Sequence, residues 1–178
     1  MRAYVLVVKD PAKGKETYDS LVAIGSTFHV MGYFDNVVVI DEISMEAVYS
    51  AIATLRHKNH EGILDLSILV APASKDESPT DTVILHNEDA IRAFLLLSVG
   101  PDHVNVVLEE LHGSSSVERA EEVEDTSIRP LSVNLVVIIK VNSLDQIPMT
   151  IRSIRDISGV RSAISCITFP GAPEFSSV

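Results

Sequence analysis

The chain has 178 residues, and its 14 Lys and Arg against 25 Asp and Glu give it a formal charge of −11. This length predicts one large domain or two small ones, and a hydrophobic content of 46% predicts a packed core instead of disorder. The negative charge disfavours sequence-independent binding to nucleic acid, which depends on Lys and Arg. The apolar runs are too short for a membrane span, and a single cysteine fits a reducing compartment. We therefore expect a cytoplasmic protein without nucleic-acid or membrane partners.

The chain contains an internal repeat. Residues 2–11 and 92–101 align at an offset of 90. Four positions are identical in the two segments and a fifth is conservative: Arg2/Arg92, Ala3/Ala93, Leu6/Leu96, Pro11/Pro101 and Tyr4/Phe94. Because repeated units adopt the same structure, the order of helices and strands should repeat as well.

The first half predicts a strand, a helix, two strands, a helix and a strand from the periodicity of its apolar residues. In chain order these are Ala3–Val8, a helix of about 11 residues after Pro11, Ser26–Met31, Asn36–Ile40, a helix capped by Ser44, and Ile63–Val70.

The second half predicts the same order with a longer middle connection. In chain order it has Ala93–Val99, a helix over His103–Leu111, a connection through Val117–Glu124, a strand over Val133–Val141, a helix marked by Ile147, Ile151 and Ile154, and a strand over Val160–Phe169. Pro148 must lie in the first turn of its helix, where a missing amide hydrogen does no harm.

These elements divide the chain into four segments. They are a first repeat over 1–71, an acidic Pro- and Ser-rich linker over 72–90 that could add a short edge strand at Val83–Leu85, a second repeat over 91–170 and a tail over 171–178. Two runs, residues 75–89 and 118–125, together carry −8 of the charge of −11. Such runs predict solvated loops or an exposed strand face.

Three predicted strands are continuous apolar runs: Val5–Val8, Val37–Ile40 and Leu135–Ile139. A strand with one solvated face alternates apolar and polar residues, so a continuous run indicates that both faces are covered. Two helices per repeat cover one face, and the other must meet a second sheet. The predicted fold class is α+β, with two ferredoxin-like βαββαβ repeats packed sheet to sheet in the manner of a dimeric α+β barrel, within one chain or between chains.

Two segments carry a family resemblance. One is the turn Gly32-Tyr33-Phe34-Asp35 before a hydrophobic strand, and the other is the helix end and strand entry Ile154-Arg155-Asp156-Ile157-Ser158-Gly159-Val160-Arg161-Ser162. With the order of elements around them, they resemble the effector-binding (RAM) domain of the leucine-responsive/asparagine regulator (Lrp/AsnC) family. The resemblance covers residues 1–71 and 91–170.

This resemblance implies a domain that dimerises through its sheets and binds small molecules, typically amino acids, at subunit interfaces. The two repeats would stand in for a dimer. The usual helix-turn-helix of the family has no counterpart before the first strand, which argues against direct reading of DNA. In the second repeat the turn is Leu131-Ser132-Val133-Asn134, which lacks the glycine and the aromatic residue, so a site there would be altered.

The candidate ligand-binding residues are those of the two turns and the last strand: Gly32, Tyr33, Phe34, Asp35, Asn134, Ser162 and Ser165. Asp35 could accept an ammonium group from a ligand, and backbone groups at Gly32 and Tyr33 could hold its polar end. The alternative is that the turn only connects two strands, with Asp35 bonded to the backbone, and that the serines face solvent or bond across strands.

Other candidate residues predict no catalytic or metal chemistry. His57 and His60 lie three residues apart without a third or fourth ligand nearby. His29, between Phe28 and Val30, is predicted on a sheet face and would be the starting point of an enzyme hypothesis. Cys166 is predicted to be inert core. We therefore predict no metal and no cofactor.

The sequence favours a non-enzymatic module that binds a small effector, an amino acid or a related metabolite, and assembles with itself or with a related regulator. One alternative is a small enzyme of the dimeric α+β barrel group, a monooxygenase or haem-handling protein, with His29 or Tyr33 in the cavity between the sheets. Another is a structural partner that joins DNA-binding relatives into mixed oligomers.

Overall fold

A computed structural model of the chain describes residues 1–42, 44–57, 62–72, 91–127 and 130–168. The first half contains β1 (Arg2–Lys9), α1 (Gly14–Val22), β2 (Ser26–Gly32), β3 (Asn36–Asp41), α2 (Met45–His57) and β4 (Ile63–Ala71). The second half contains β5 (Ile91–Val99), α3 (Val104–His112), β6 (Val117–Glu122), β7 (Glu124–Asp125), β8 (Leu135–Val141), α4 (Gln146–Arg155) and β9 (Val160–Thr168). These elements confirm a mixed α+β fold.

Two of the expected helix starts are confirmed. The Ser44 hydroxyl accepts a hydrogen bond from the Ala47 amide at 3.2 Å, which satisfies one of the free amides of the first turn of α2. Pro148 is the third residue of α4, so its missing amide hydrogen removes no bond within the helix. Residues 73–90, with the suggested edge strand Val83–Leu85, and the residues after Thr168 lie outside the described residues.

Of the two alternatives for the acidic run at 118–125, the solvated loop is wrong, and the strand is correct but lacks the expected exposure at Glu118 and Glu121. The run forms most of β6 and all of β7. The side chains of Glu118 and Glu121 are 19% and 11% exposed, and each pairs with an arginine. An acidic strand can lie in the sheet here because the buried carboxylates have cationic partners, which the charge pattern along the chain could not reveal.

The nine strands of the described residues form one antiparallel sheet in the order β6-β8-β5-β9-β2-β3-β1-β4-β7. The order β2-β3-β1-β4 of the first half matches β6-β8-β5-β9 of the second, strand for strand. The two halves are therefore joined edge to edge within one chain.

Two short strand pairs make this junction, and we call them seam A and seam B. Seam A pairs β2 with β9 through Val30–Thr168, Met31–Ile167 and Gly32–Cys166. Seam B pairs β4 with β7 through Leu69–Asp125 and Val70–Glu124. Only Val123 separates β7 from β6 at the other end of the strand order. The sheet thus closes on itself, which pairs edges that would otherwise expose free backbone groups.

The closed sheet is covered on both faces, as the continuous apolar runs predict. Its inner face forms one core shared by the two halves, which includes Tyr4, Leu6, Phe34, Phe94, Leu96 and Cys166. Its outer face packs against α1 and α2 in the first half and against α3 and α4 in the second, in two further cores. None of the helices in the described ranges is long and apolar enough to cross a bilayer.

Seam A should depend on the glycine at position 32. A Cβ atom there would lie 2.4 Å from the backbone oxygen of Ser165, and the φ of +152° is one that other residues rarely adopt. We expect Gly32→Ala to lower the free energy of unfolding by about 1–3 kcal/mol, measured by chemical denaturation. The control is Gly14→Ala, because a Cβ at Gly14 meets nothing within 4 Å. It should be neutral or slightly stabilising, and an equal loss in both variants would contradict this account.

Candidate functional site

The turn between β2 and β3 is partly exposed. Gly32 and Tyr33 are exposed, and the Tyr33 side chain is 66% accessible. Phe34 is 1% exposed and belongs to the shared core. Asp35 is half-buried. The turn therefore offers an aromatic ring and backbone groups to solvent while it anchors itself through Phe34.

The carboxylate of Asp35 bonds the backbone of its own half. Its Oδ2 accepts from the Lys9 amide at 2.8 Å. Its backbone N–H donates to the Val7 oxygen at 2.9 Å, and its backbone oxygen accepts from the Val30 amide at 3.0 Å. These three bonds tie β1, β2 and β3 together at one point. Asp35 thus bonds the backbone, as expected if the turn serves to connect two strands.

Asn134 occupies the matching position in the second half. Its Oδ1 accepts from the Val99 amide at 2.8 Å, its backbone N–H donates to the Leu97 oxygen at 3.0 Å, and its backbone oxygen accepts from the Val123 amide at 2.9 Å. Its Nδ2 also donates to the Val99 oxygen at 2.9 Å. Asn134 therefore repeats the three bonds of Asp35. Its partners Val99 and Leu97 on β5 are each 90 residues after Lys9 and Val7, the partners of Asp35 on β1.

The structure brings Gly32 and Ser165 together but separates them from Ser162. Gly32 pairs with Cys166 across seam A, directly beside the Ser165 backbone. Ser162 is exposed and pairs with Ser98 of β5. It lies four residues from Cys166 along β9, which is about 13 Å at the rise of a strand. Ser98 adjoins Val99, the partner of Asn134. The predicted residues thus form two groups, one at each end of β9.

Neither residue suggested for an enzymatic cavity lies in the shared core. His29 stacks on Tyr18 of α1, with ring centres 4.4 Å apart and planes 14° apart, so it faces the helix layer. Burial and the nearby charge of Lys9 lower the pKa of His29. Tyr33 is exposed. That part of the enzyme hypothesis is wrong, because alternation along β2 sends Phe28 inward and His29 outward.

The remaining candidates give no metal or thiol chemistry in the part of the chain that the structure describes. No group of three His, Cys, Asp or Glu residues there could hold a metal ion, and His60 lies outside the described residues. Cys166 is fully buried. Burial raises the pKa of its thiol to about 11, opposed in part by a hydrogen bond from the Phe34 backbone. The thiol is therefore protonated and inert at neutral pH.

Asp35 supplies a test with a control from the chain itself. We expect Asp35→Ala to lower the free energy of unfolding by about 1–2 kcal/mol, because the Lys9 amide loses its acceptor. Asp35→Asn should change it by less than about 0.5 kcal/mol, since an amide oxygen makes the same contact at Asn134. Chemical denaturation measures both values. Equal losses would show that the charge, and not the backbone contact, is what matters at this position.

A cluster of polar side chains interrupts the inner face of the sheet beside seam B. We call Arg2, Tyr4, Asp41, Arg119 and Glu121 the seam cluster. Glu121 Oε1 accepts from Nη1 of Arg2 at 2.8 Å and from Nη1 of Arg119 at 2.6 Å, and its Oε2 accepts from the Tyr4 hydroxyl at 2.5 Å. Arg2 Nε donates to Asp41 Oδ1 at 2.7 Å. One buried carboxylate from the second half therefore binds two groups of β1.

Burial and charge determine the protonation states in this cluster. Burial, followed by the charge of Glu121 and the hydrogen bond to it, raises the pKa of Tyr4 well above its ordinary value. The phenol thus stays protonated and donates. Burial alone lowers the pKa of Arg2, but the hydrogen bond to Asp41 and the charge of Glu121 more than offset this, so the net shift is upward. The guanidinium is charged at every relevant pH.

Two members of the seam cluster, Tyr4 and Glu121, have apolar counterparts at seam A. Val30 and Val123 make equivalent bonds to Asp35 and Asn134, so Phe28, two residues before Val30, corresponds to Glu121. Phe94 corresponds to Tyr4 at the offset of 90. The rings of Phe28 and Phe94 lie 5.3 Å apart. Where seam B has a phenol on a carboxylate, seam A has two phenylalanines, so the fold itself does not require the polar pair.

Sequence reasoning did not predict the seam cluster. The identity of Arg2 and Arg92 was visible as a mark of the repeat, and the pairing of Tyr4 with Phe94 was visible as a conservative exchange. The informative signal was the arginine near the start of an otherwise apolar strand in each half. The glutamates that pair with these arginines lie in β6, whose charge predicts a solvated loop or an exposed strand face.

The Tyr4 hydroxyl gives a prediction about pH. The free energy of unfolding should fall as pH rises above about 10, because Tyr4 loses its proton there in the unfolded chain but not in the folded one. Tyr4→Phe should weaken this fall and should cost about 1.5–3 kcal/mol at neutral pH through the lost bond to a charged acceptor. Denaturation at several pH values measures both effects.

The control for this prediction is Tyr33→Phe, which alters an exposed ring. It should leave the stability at neutral pH and its decline above pH 10 close to those of the unchanged chain. Equal behaviour of the two variants would mean that the Tyr4 hydroxyl contributes nothing beyond an exposed phenol.

The comparisons with known proteins define the class of fold. No known protein family and no curated protein matches the sequence. The crystal structure of the siroheme decarboxylase NirDL superposes with a TM-score of 0.65 at 12% identity, over 94% of this chain and 71% of that one. NirDL in co-complex with an iron-uroporphyrin III analogue gives 0.64 at 11% identity, over 94% and 70%.

An anthrone oxidase-like protein is also similar, with a TM-score of 0.54 at 11% identity, over 94% of this chain and 90% of that chain. At such low identity these likenesses show the fold alone. The chain shares its fold with these proteins over nearly its whole length.

Proposed function

We propose that the chain is a small-molecule-binding module in which two ferredoxin-like repeats take the place of the two subunits of a dimeric α+β barrel, as in the effector-binding domains of Lrp/AsnC regulators. The observation that carries this proposal is the seam cluster, in which one buried carboxylate from the second half binds Arg2 and Tyr4 of the first half where the halves meet. Its effector is an amino acid or a related metabolite, and its partner is a second copy or a related regulator in the cytoplasm.

The physical argument rests on the cost of burying charge. Replacing a buried ion pair by well-packed apolar side chains is often neutral or stabilising. Seam A has such apolar packing in Phe28 and Phe94, at the positions that match Glu121 and Tyr4. Stability therefore does not require the polar groups at seam B, and we interpret them as groups that recognise a ligand.

The mechanism is thermodynamic. A ligand held between the halves stabilises the closed sheet, or one assembly of it, only by its differential affinity for that state. Seam B has two residue pairs, extended by hydrogen bonds between the Ile68 backbone and Thr126 and Ser127, so a ligand that contacts both sides of this seam would add interactions to a short junction. The structure of NirDL with an iron-uroporphyrin III analogue supports the idea that this fold accommodates small molecules.

The turn of the first repeat remains a proposed effector contact. Asp35 and Asn134 already bond the backbone, so ligand contact there would come from the exposed Tyr33 ring and the Gly32 backbone. Ser165 adjoins Gly32 and could add a hydroxyl, whereas Phe34 would act only as an anchor and Ser162 lies at the far end of β9.

A titration of the full chain with the twenty amino acids and related metabolites tests the proposal, read by calorimetry, thermal unfolding and native mass. A ligand present at about 100 times its dissociation constant should stabilise the chain by about 2.7 kcal/mol. Tyr33→Ala should weaken binding if the turn holds the effector, and Glu121→Gln should alter it if the seam cluster does. No heat, no stabilisation and no change of assembly with any ligand would refute the proposal.

A second candidate function is a small enzyme. The specific observation in its favour is the Tyr4 phenol. It donates to Glu121, whose other carboxylate oxygen accepts from Arg2 and Arg119, and it could instead donate to a substrate oxygen. The siroheme decarboxylase and anthrone oxidase-like relatives in fold are consistent with it. Uptake of haem or flavin with a shifted absorption spectrum, lost in Tyr4→Phe, would favour this function over the first.

A further inference from the structure

We infer that Arg2 belongs to a binding site for a small monocarboxylate at seam B, an inference that rests on the proposed function and names its ligand class. It is carried by the incomplete pairing of the Arg2 guanidinium. Nε donates to Asp41 and Nη1 donates to Glu121. Among the described residues Nη2 has no acceptor, although the side chain is only 10% exposed. The two N–H groups of Nη2 therefore reach solvent, since the one fully buried side-chain polar atom without a partner among the described residues is Asn36 Oδ1, and they remain open to a ligand.

The corresponding arginine of the other half shows what a completed pairing looks like. Arg92 donates from Nε and Nη2 to the two oxygens of Glu118, over 2.7 and 3.1 Å. This two-point fork is the geometry in which a guanidinium binds a carboxylate best. Arg2 has two carboxylates, but each takes a single nitrogen. The chain itself therefore supplies the pattern, and a ligand carboxylate at Nη2 of Arg2 would restore it.

The neighbouring charges and the burial of Tyr4 favour a monoanion that approaches from the solvent side. Asp41 and Glu121 already lie against the guanidinium, so a dianion such as phosphate would be repelled more strongly than a carboxylate. Tyr4 is fully buried and closes the inner side. The Asp41 side chain is 35% exposed and marks the side open to solvent. An ammonium group on the same ligand would meet Asp41, which extends the site to amino acids.

The test titrates the full chain with sodium acetate, propionate and glycine against sodium chloride at equal ionic strength, followed by thermal unfolding and calorimetry. We expect the carboxylates to stabilise the chain more than chloride does. Tighter binding of glycine than of acetate would identify an amino acid as the source of the carboxylate, and the reverse would identify a simple acid. Either order supports the site.

Variants then locate the binding. Arg2→Lys keeps the charge but removes the fork and should weaken carboxylate binding at least tenfold, whereas the matched control Arg92→Lys should leave it unchanged. Glu121→Gln removes the neighbouring negative charge at constant shape and should strengthen binding at least tenfold. This variant and the unchanged chain decide the matter if Arg2→Lys does not fold.

Two results would overturn the inference. One is an equal response to acetate and chloride in both the unchanged chain and Glu121→Gln. The other is carboxylate binding that is the same in Arg2→Lys, which would move the ligand elsewhere and leave the proposed function standing. Failure of every ligand in the broader titration would remove the proposed function as well.

Discussion

Closure of the sheet through two short seams is the constraint on which the rest of the structure depends. Five residue pairs join the halves along their edges, three at seam A and two at seam B. They hold two inner faces together so that water is excluded from the core between them. Neither half can cover its own inner face, because its helices lie on the other side. The apolar area of each face therefore drives association with the other.

Because the sheet is closed, polar side chains on its inner face are shielded from water and stand out from the apolar residues around them. Positions related by the repeat face one another across this core, and most are filled by similar apolar side chains. Tyr4 and Glu121 break the correspondence, since their counterparts are Phe94 and Phe28. A departure from the repeat inside a desolvated core affects stability much more than one on the surface would. For this reason the asymmetry, and not the exposed turn, carries the functional proposal.

Much of the fold followed from local patterns. The repeat between residues 2–11 and 92–101 and the periodicity of the apolar residues predicted the order of elements. The predicted bounds agree with the structure within a few residues at most of the strands. The prediction failed at Val117–Glu124, which charge assigned to solvent. A strand rich in glutamate becomes buried only when arginines from strands close in space neutralise it. Such pairing over 119 residues of sequence, as between Arg2 and Glu121, leaves no local trace.

The candidate site divides in the same way. Asp35 and Asn134 were recognised by their turns, and their bonds to strand ends are of the short-range kind that turn chemistry predicts. The amino-acid sequence by itself determined that the chain repeats, that both faces of its strands are covered and that an arginine stands near the start of each half. Only the tertiary structure decided which carboxylates each arginine meets, because Arg92 pairs with Glu118 of its own half, while Arg2 pairs both with Asp41 of its own half and with Glu121 across the junction. That difference arises from the curvature and closure of the sheet, which no single segment of the chain encodes.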